Sequence, residues 1–194
     1  MRRSLLICVL MMTLSLSACG GGSEAEELAL TIRGEYLAMT SCAAQAVVTA
    51  DYGQRVYRYE LSAAVNGEEA LLTLTAPETV AGLTARIEED EGWLEYDGAI
   101  LETGELAPGG LTPMGAIPAL LETARSGYLD TCVLEELGEV QALRVVSRDP
   151  EEKQGSGTET TLWFDAATHA LVRGEISQDG VCVLQCEFSQ FTKE

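Results

Sequence analysis

Few residues of this chain could do chemistry: six cysteines, a single histidine and a large excess of carboxylates. Cys19 stands apart from the other thiols. It follows a short apolar run from Leu5 and the small pair Ser17-Ala18, and Gly20-Gly21-Gly22-Ser23 comes after it. A thiol beside small residues is open both to a peptidase and to an enzyme that alkylates sulfur, so the chemistry on offer at Cys19 is thioether attachment of a lipid.

Leu16-Ser17-Ala18-Cys19 resembles the lipobox of bacterial lipoprotein precursors. The resemblance implies that residues 1–18 are a signal peptide, with Arg2 and Arg3 as its charged region and Leu5 to Leu16 as its apolar region. Cleavage before Cys19 would leave a diacylated, palmitate-class cysteine as the mature N-terminus. An ordinary secretory signal shares the small residues and remains the alternative. A transmembrane helix does not, because the run from Leu5 to Ala18 falls short of the roughly 20 apolar residues that cross a bilayer core. The chain is therefore expected on the extracytoplasmic face of a cell membrane, held through Cys19.

Residues 19–24 then read as a lipidated N-terminus and Gly-Ser tether, and residues 25–194 as one domain, since domains commonly run about 100–200 residues. The chain carries 12 Lys and Arg against 31 Asp and Glu; without Arg2 and Arg3 the balance is 10 against 31, a formal charge of −21. Such a surface repels phosphate backbones and excludes nucleic acid as a partner. It also disfavours docking on anionic lipid through basic residues, an objection that two acyl chains on Cys19 remove.

Cys8 leaves with the signal, so Cys42, Cys132, Cys182 and Cys186 remain. An exported even set permits one or two long-range disulfides, and buried free thiols are the alternative. Cys182 and Cys186 cannot bridge each other within a regular strand, where they would lie on one face about 13 Å apart. Paired metal-ligand spacings are absent from the sequence.

The remaining chemistry-bearing residues give no reaction. A Ser-His-Asp site would have to use His169, which lies in the turn of an expected hairpin, and there is no GxSxG elbow; a solvent-exposed turn residue is the reading. Gly155-Ser156-Gly157 lacks the lysine and helix of a P-loop, and Glu88-Glu89-Asp90-Glu91 lacks the glycine turn and alternating ligands of a calcium loop. No carboxylate pair stands out for glycoside hydrolysis, which depends on separation in space. The chain is expected to be non-enzymatic, with no cofactor and no metal.

What positions these residues is mostly β-structure. Ala25, Leu28, Ala29, Ile32, Tyr36 and Met39 recur at helical spacing, which predicts an amphipathic helix from Glu24 to Met39, with a strand over Leu28, Leu30 and Ile32 as the lesser reading. From Ala43 the period changes to two. Asn66-Gly67, Asp97-Gly98 and Asp179-Gly180 are hairpin signals, and Tyr57, Tyr59, Leu61, Ala63 and Val65 alternate with polar neighbours. Pro118 to Gly127 predicts a mid-chain helix with apolar Ile117, Leu120, Leu121 and Ala124 on one side. Strands resume at Val140–Ser147, Glu159–Asp165, Ala170–Ser177 and Val181–Phe191. The expected fold is α+β, mainly β: nine or so strands curling into an unclosed barrel over a concave apolar face, with an N-terminal helix and a mid-chain lid helix.

Leu162-Trp163-Phe164-Asp165 followed by a Thr-containing turn and Leu171-Val172-Arg173 resembles the late hairpin of the LolA-like lipoprotein-carrier superfamily. Pro77 to Arg86 and Trp93-Leu94-Glu95-Tyr96-Asp97-Gly98 look like that superfamily's middle strands. The resemblance implies a single LolA-like domain over 25–194, similar to the anchored branch of lipid-binding and germination lipoproteins, with an apolar interior that takes acyl chains. Tyr57, Tyr59, Leu83, Ile87 and Trp93 are candidate lining residues, as are Leu120, Leu121, Trp163 and Phe164; plain core filling is the alternative for the aromatic ones. The expected function is binding of a lipid or other hydrophobic ligand at the membrane. A regulatory module that engages an envelope protein through its surface is the alternative.

Overall fold

The computed structural model describes residues 20–88, 91–104, 110–153 and 155–194. The segment 1–18 read above as a signal peptide and Cys19 lie outside the described residues, as do residues 89 and 90 of the acidic run. Helix α1 (Gly20–Ala38) leads into β1 (Ser41–Asp51), β2 (Val56–Asn66), β3 (Glu69–Ala76), β4 (Thr84–Glu88), β5 (Glu91–Tyr96) and β6 (Ala99–Glu102). Helix α2 (Pro113–Ser126) interrupts the strands. β7 (Thr131–Leu137), β8 (Val140–Arg148), β9 (Thr158–Asp165), β10 (Leu171–Gln178) and β11 (Val181–Lys193) follow it.

All 11 strands form one antiparallel sheet in the order β6-β5-β4-β3-β2-β1-β11-β10-β9-β8-β7. Each half is a meander of sequential hairpins, and β1 pairing with β11 joins the halves. The edges β6 and β7 do not meet, so the sheet is curved and unclosed. The turns follow their residues: Asp97 and Gly98 have φ of 49° and 77°, Asp179 and Gly180 have 50° and 76°. Positive φ at both central positions is what a two-residue type I′ hairpin requires, and its twist matches that of the strands.

Alternation fixes the concave face. Cys42, Ala44, Ala46, Val48 and Ala50 are buried along β1 and Leu61, Ala63 and Val65 along β2, while the residues between them point outward. Register carries one such row across six strands: Ala44 opposes Ala63, then Leu72, Ala85, Leu94 and Leu101 in turn.

Both helices lie on this face. In α1 the stripe Ala25, Ala29, Ile32 and Tyr36 is buried whereas Leu30 is 60% exposed, which settles helix against strand for this segment. α1 begins at Gly20, so the backbone expected as a tether belongs to the helix, and the acidic cluster at Glu24 to Glu27 falls beyond its first turn. α2 begins at Pro113 rather than Pro118. The Thr112 hydroxyl accepts from the Gly115 amide at 3.0 Å, and this cap upstream of Pro118 outcompetes it as the start signal. Pro118 is carried inside the helix, where only the bond to the Met114 carbonyl is forgone.

β7 had no clear sequence signal. It is an edge strand whose residues are exposed or half-buried, so its alternation is weak; α1 packs across it. No helix among the described residues is long and apolar enough to cross a membrane.

Candidate functional site

The concave face divides into two parts. α1 packs chiefly on β7, β8 and α2, and α2 on β1, β9, β10 and β11. Under them lie Phe164 from β9, with Leu120 and Leu121 from α2, all buried. α2 is no loose cover: Met114, Ala116, Ile117, Leu120, Leu121 and Ala124 are all in the core, and Leu120 sits directly over Gly174 of β10.

The second part is the wall of β2 to β6. Leu61, Leu72 and Ala85 are buried there, Tyr59, Leu83 and Ile87 half-buried, and Tyr57 is 37% exposed. Val80 and Leu94, which the sequence reading did not select, pack with them, and Leu101 ends the row at 63% exposure. The arrangement is a continuous apolar row with no charged side chain at its centre; Ala44, Ala63, Leu72 and Ala85 in it are already out of water, and Leu94 and Leu101 at its end are half-buried and exposed. Its only chemistry is removal of alkyl or aryl surface from water, about 25 cal/mol per Å².

Two expected lining residues are elsewhere. Trp93 pairs with Arg86 on one side and Glu102 on the other, so it points to the outer face. Trp163 pairs with Arg144 and Arg173 and is also on the outer face, yet only 8% exposed. Polar groups cover it. The Trp163 indole N–H donates to Glu135 at 2.7 Å, Arg144 pairs with the same carboxylate at 3.1 Å, and Arg173 lies 5.1 Å from the ring centroid. The indole donor and then Arg144 hold the Glu135 carboxyl below the usual range. Large aromatics signal burial, but burial by stacked arginines needs no inward face.

Cys42, Cys132, Cys182 and Cys186, the four cysteines among the described residues, are free thiols. Cys42 and Cys186 are buried on the concave face, and burial pushes the Cys186 thiol up to about 12. Cys132 lies on β7 and is half-buried. A bulge between Ile176 and Ser177 pairing turns Cys182 to the opposite face from Leu184 and Cys186, so the same-face geometry of a regular strand does not hold. Protonated, separated thiols are neither redox pairs nor ready metal ligands. No group of three or more metal-ligating side chains occurs among the described residues.

His169 is in the β9–β10 turn as expected, but it is not free in solvent. Its Nδ1 donates to Glu35 of α1 at 2.8 Å, and Lys193 near the C-terminus pairs with the other oxygen of Glu35. The Lys193 bond, then the His169 bond, hold the Glu35 carboxyl below its usual range. A carboxyl lowered by folding stabilises the fold above its unfolded value near 4.5, and that contribution is lost as pH falls through the lower folded value. Glu35→Gln is expected to cost about 0.5–1 kcal/mol at neutral pH, discounted for exposure, and to flatten the loss of stability below pH about 5. Urea titrations across that range check it; parallel curves for both proteins would refute it.

One cluster at the end of the wall was missed. Tyr52, Tyr57 and Tyr59 form a chain of rings with successive centroids 6.3 Å apart, the last pair near parallel at 17°. Tyr52 donates to the Leu111 carbonyl, just before α2, at 3.2 Å, and Arg55 reaches the Tyr57 hydroxyl at 3.4 Å. The alternation Tyr57, Tyr59 was legible; that the Asp51–Val56 turn folds Tyr52 and Arg55 onto the same side was not.

The chain folds as a curved, unclosed antiparallel sheet with two helices on its concave face. No family model and no curated protein matches the sequence. Among solved structures, an uncharacterised conserved protein from Thermus thermophilus is similar at a TM-score of 0.53, with 13% identity over 88% of each chain. A LolA superfamily protein from Nitrosomonas europaea is similar at 0.45, with 11% identity over 88% of this chain and 93% of that one. LprF from Mycobacterium bovis is similar at 0.46, with 15% identity over 88% and 94%.

Proposed function

We propose that this chain is a non-enzymatic lipoprotein, anchored through Cys19 on the extracytoplasmic face of a cell membrane, that takes a lipid or other hydrophobic ligand onto its concave face. The observation that carries this is the apolar wall of β2 to β6. It continues the core past the two helices into side chains that are half-buried or exposed, among them Tyr57, Tyr59, Leu94 and Leu101. An alkyl chain laid there gains about 0.8 kcal/mol per methylene removed from water.

Native mass spectrometry of gently purified full-length protein tests the reading. A bound lipid-sized adduct is expected, and it should be lost in the double variant Ile87→Asp, Leu94→Asp, which sets two carboxylates on the wall. Each buried charge there costs several kcal/mol, more than a modest ligand returns. A clean unliganded mass for the unaltered protein would sink the proposal, and a stoichiometric protein partner in its place would favour the regulatory module.

A further inference from the structure

Cations are scarce on this chain, 12 against 31 carboxylates, and most are committed. Arg86, Arg144, Arg148, Arg173 and Lys193 each pair with a carboxylate, while Arg33 and Arg125 bond the backbone carbonyls of Gly127 and Tyr36. Arg55 does neither. It is exposed in the β1–β2 turn, and among the described residues its one bond is to the Tyr57 hydroxyl. Tyr57 opposes Ala50, a concave-face residue, so this guanidinium is held at the rim of the apolar wall and not on the outer face. Arg58, also without a carboxylate partner among the described residues, opposes Thr49 and faces outward.

A guanidinium left unpaired among so many acids marks a place where an anion is wanted. The surroundings say what the anion is attached to. From Arg55 the rings of Tyr57 and Tyr59 lead to half-buried Leu83 and Val80, over the buried Leu61, and among the described residues Tyr57, Tyr59 and Leu61 form an uncharged inward row on β2. The accessible apolar strip on this face is the part that is not already buried: Tyr57 is exposed and Tyr59, Leu83, Val80 and Ile87 are half-buried, whereas Leu61, Ala63 and Val65 lie in the core. Tyr52, third in the aromatic chain, is bonded to the loop that starts α2, so the rim and the helix meet at this point.

We infer that Arg55 and the tyrosine strip form the head-group subsite of the ligand site proposed above, selecting an amphiphile whose head is an anionic phosphate or carboxylate. The guanidinium takes two oxygens of the head, the Tyr57 hydroxyl fixes the guanidinium, and the ring faces carry the first methylenes. Affinity comes from the chain and selectivity from Arg55.

The test is a competition read as a ratio. Full-length protein in a non-ionic detergent is offered equal amounts of lysophosphatidylglycerol and lysophosphatidylcholine of one chain length, and the two adducts are counted by native mass spectrometry. An anionic preference of about tenfold is expected, the size of one charge-assisted bond at a part-exposed site. Arg55→Gln should bring the ratio near one with the total adduct largely kept, and Arg55→Lys should restore part of the preference. Arg55 is exposed in a turn, so both variants should melt with the parent. Inorganic phosphate at the same concentration should displace neither lipid.

Equal ratios in parent and Arg55→Gln would overturn the subsite while leaving lipid binding intact. Displacement by phosphate alone would overturn the amphiphile as its ligand. Absence of both adducts would overturn the subsite together with the function it rests on.

Discussion

Gly174→Ala is expected to lower the stability of the fold by about 1–3 kcal/mol, although a strand normally gains from losing a glycine. The reason is the closeness of α2. A methyl group built on Gly174 would stand 2.5 and 2.7 Å from the two terminal carbons of Leu120. Terminal methyls of a leucine can often swing aside, but Leu120 is fully buried and packed within the core that α2 shares with the sheet. The helix must therefore lift. Leu120→Ala alone is expected to cost about 2–5 kcal/mol by leaving a cavity. The double variant should cost less than the sum of the two, because the added methyl enters the space that the leucine vacated. Urea unfolding of the four proteins measures the coupling; strict additivity would mean that helix and strand do not meet as described.

This contact bears on function as well as on folding. The sequence reading cast the mid-chain helix as a lid that moves to admit ligand. Its apolar side was legible from Ile117, Leu120, Leu121 and Ala124, and those residues are buried. Their depth was not, because it depends on a glycine 54 positions away on β10. A helix seated on the sheet backbone at Gly174 is costly to displace. The proposed ligand site is therefore set on the wall of β2 to β6, which the helices leave largely to itself.

The outer tryptophans show how far pattern can be read and where it stops. Glu88 opposes Glu91, and the same antiparallel register sets Arg86 against Trp93 and Ala85 against Leu94. Followed through, the hairpin alone would have placed Trp93 outside and Leu94 inside. Aromatic identity outweighed register in selecting Trp93. Trp163 is different. Its strand is buried at Leu162, Trp163 and Phe164 in succession, so alternation is masked, and what covers the indole is a set of arginines from neighbouring strands that no local pattern reveals. Local period and turn chemistry thus carried most of the fold, whereas groups that meet across strands, such as Arg173 with Trp163 or Glu35 with His169, were beyond it.

Tyr36→Ala is expected to be among the most damaging single changes, costing about 3–5 kcal/mol, because one side chain ties four distant segments together. Tyr36 is fully buried on α1, meets Phe164 of β9 edge-on at 5.3 Å and stacks on Phe191 of β11 at 6.1 Å. Lys193 lies 4.7 Å from its ring centroid, and its hydroxyl donates to the His169 carbonyl at 3.2 Å. Burial raises the phenol well above its ordinary value, so it remains a neutral donor through the alkaline range. Tyr36→Phe separates the two contributions: the rings stay packed, and about 1 kcal/mol should be lost with the hydrogen bond. The larger variant also unseats Glu35 beside it, and with it the bonds to His169 and Lys193 that close the C-terminal strand onto α1. Amide exchange should therefore quicken in α1 and the end of β11 together in Tyr36→Ala. Loss confined to α1 would mean that the helix and the C-terminal strand are not held through this residue.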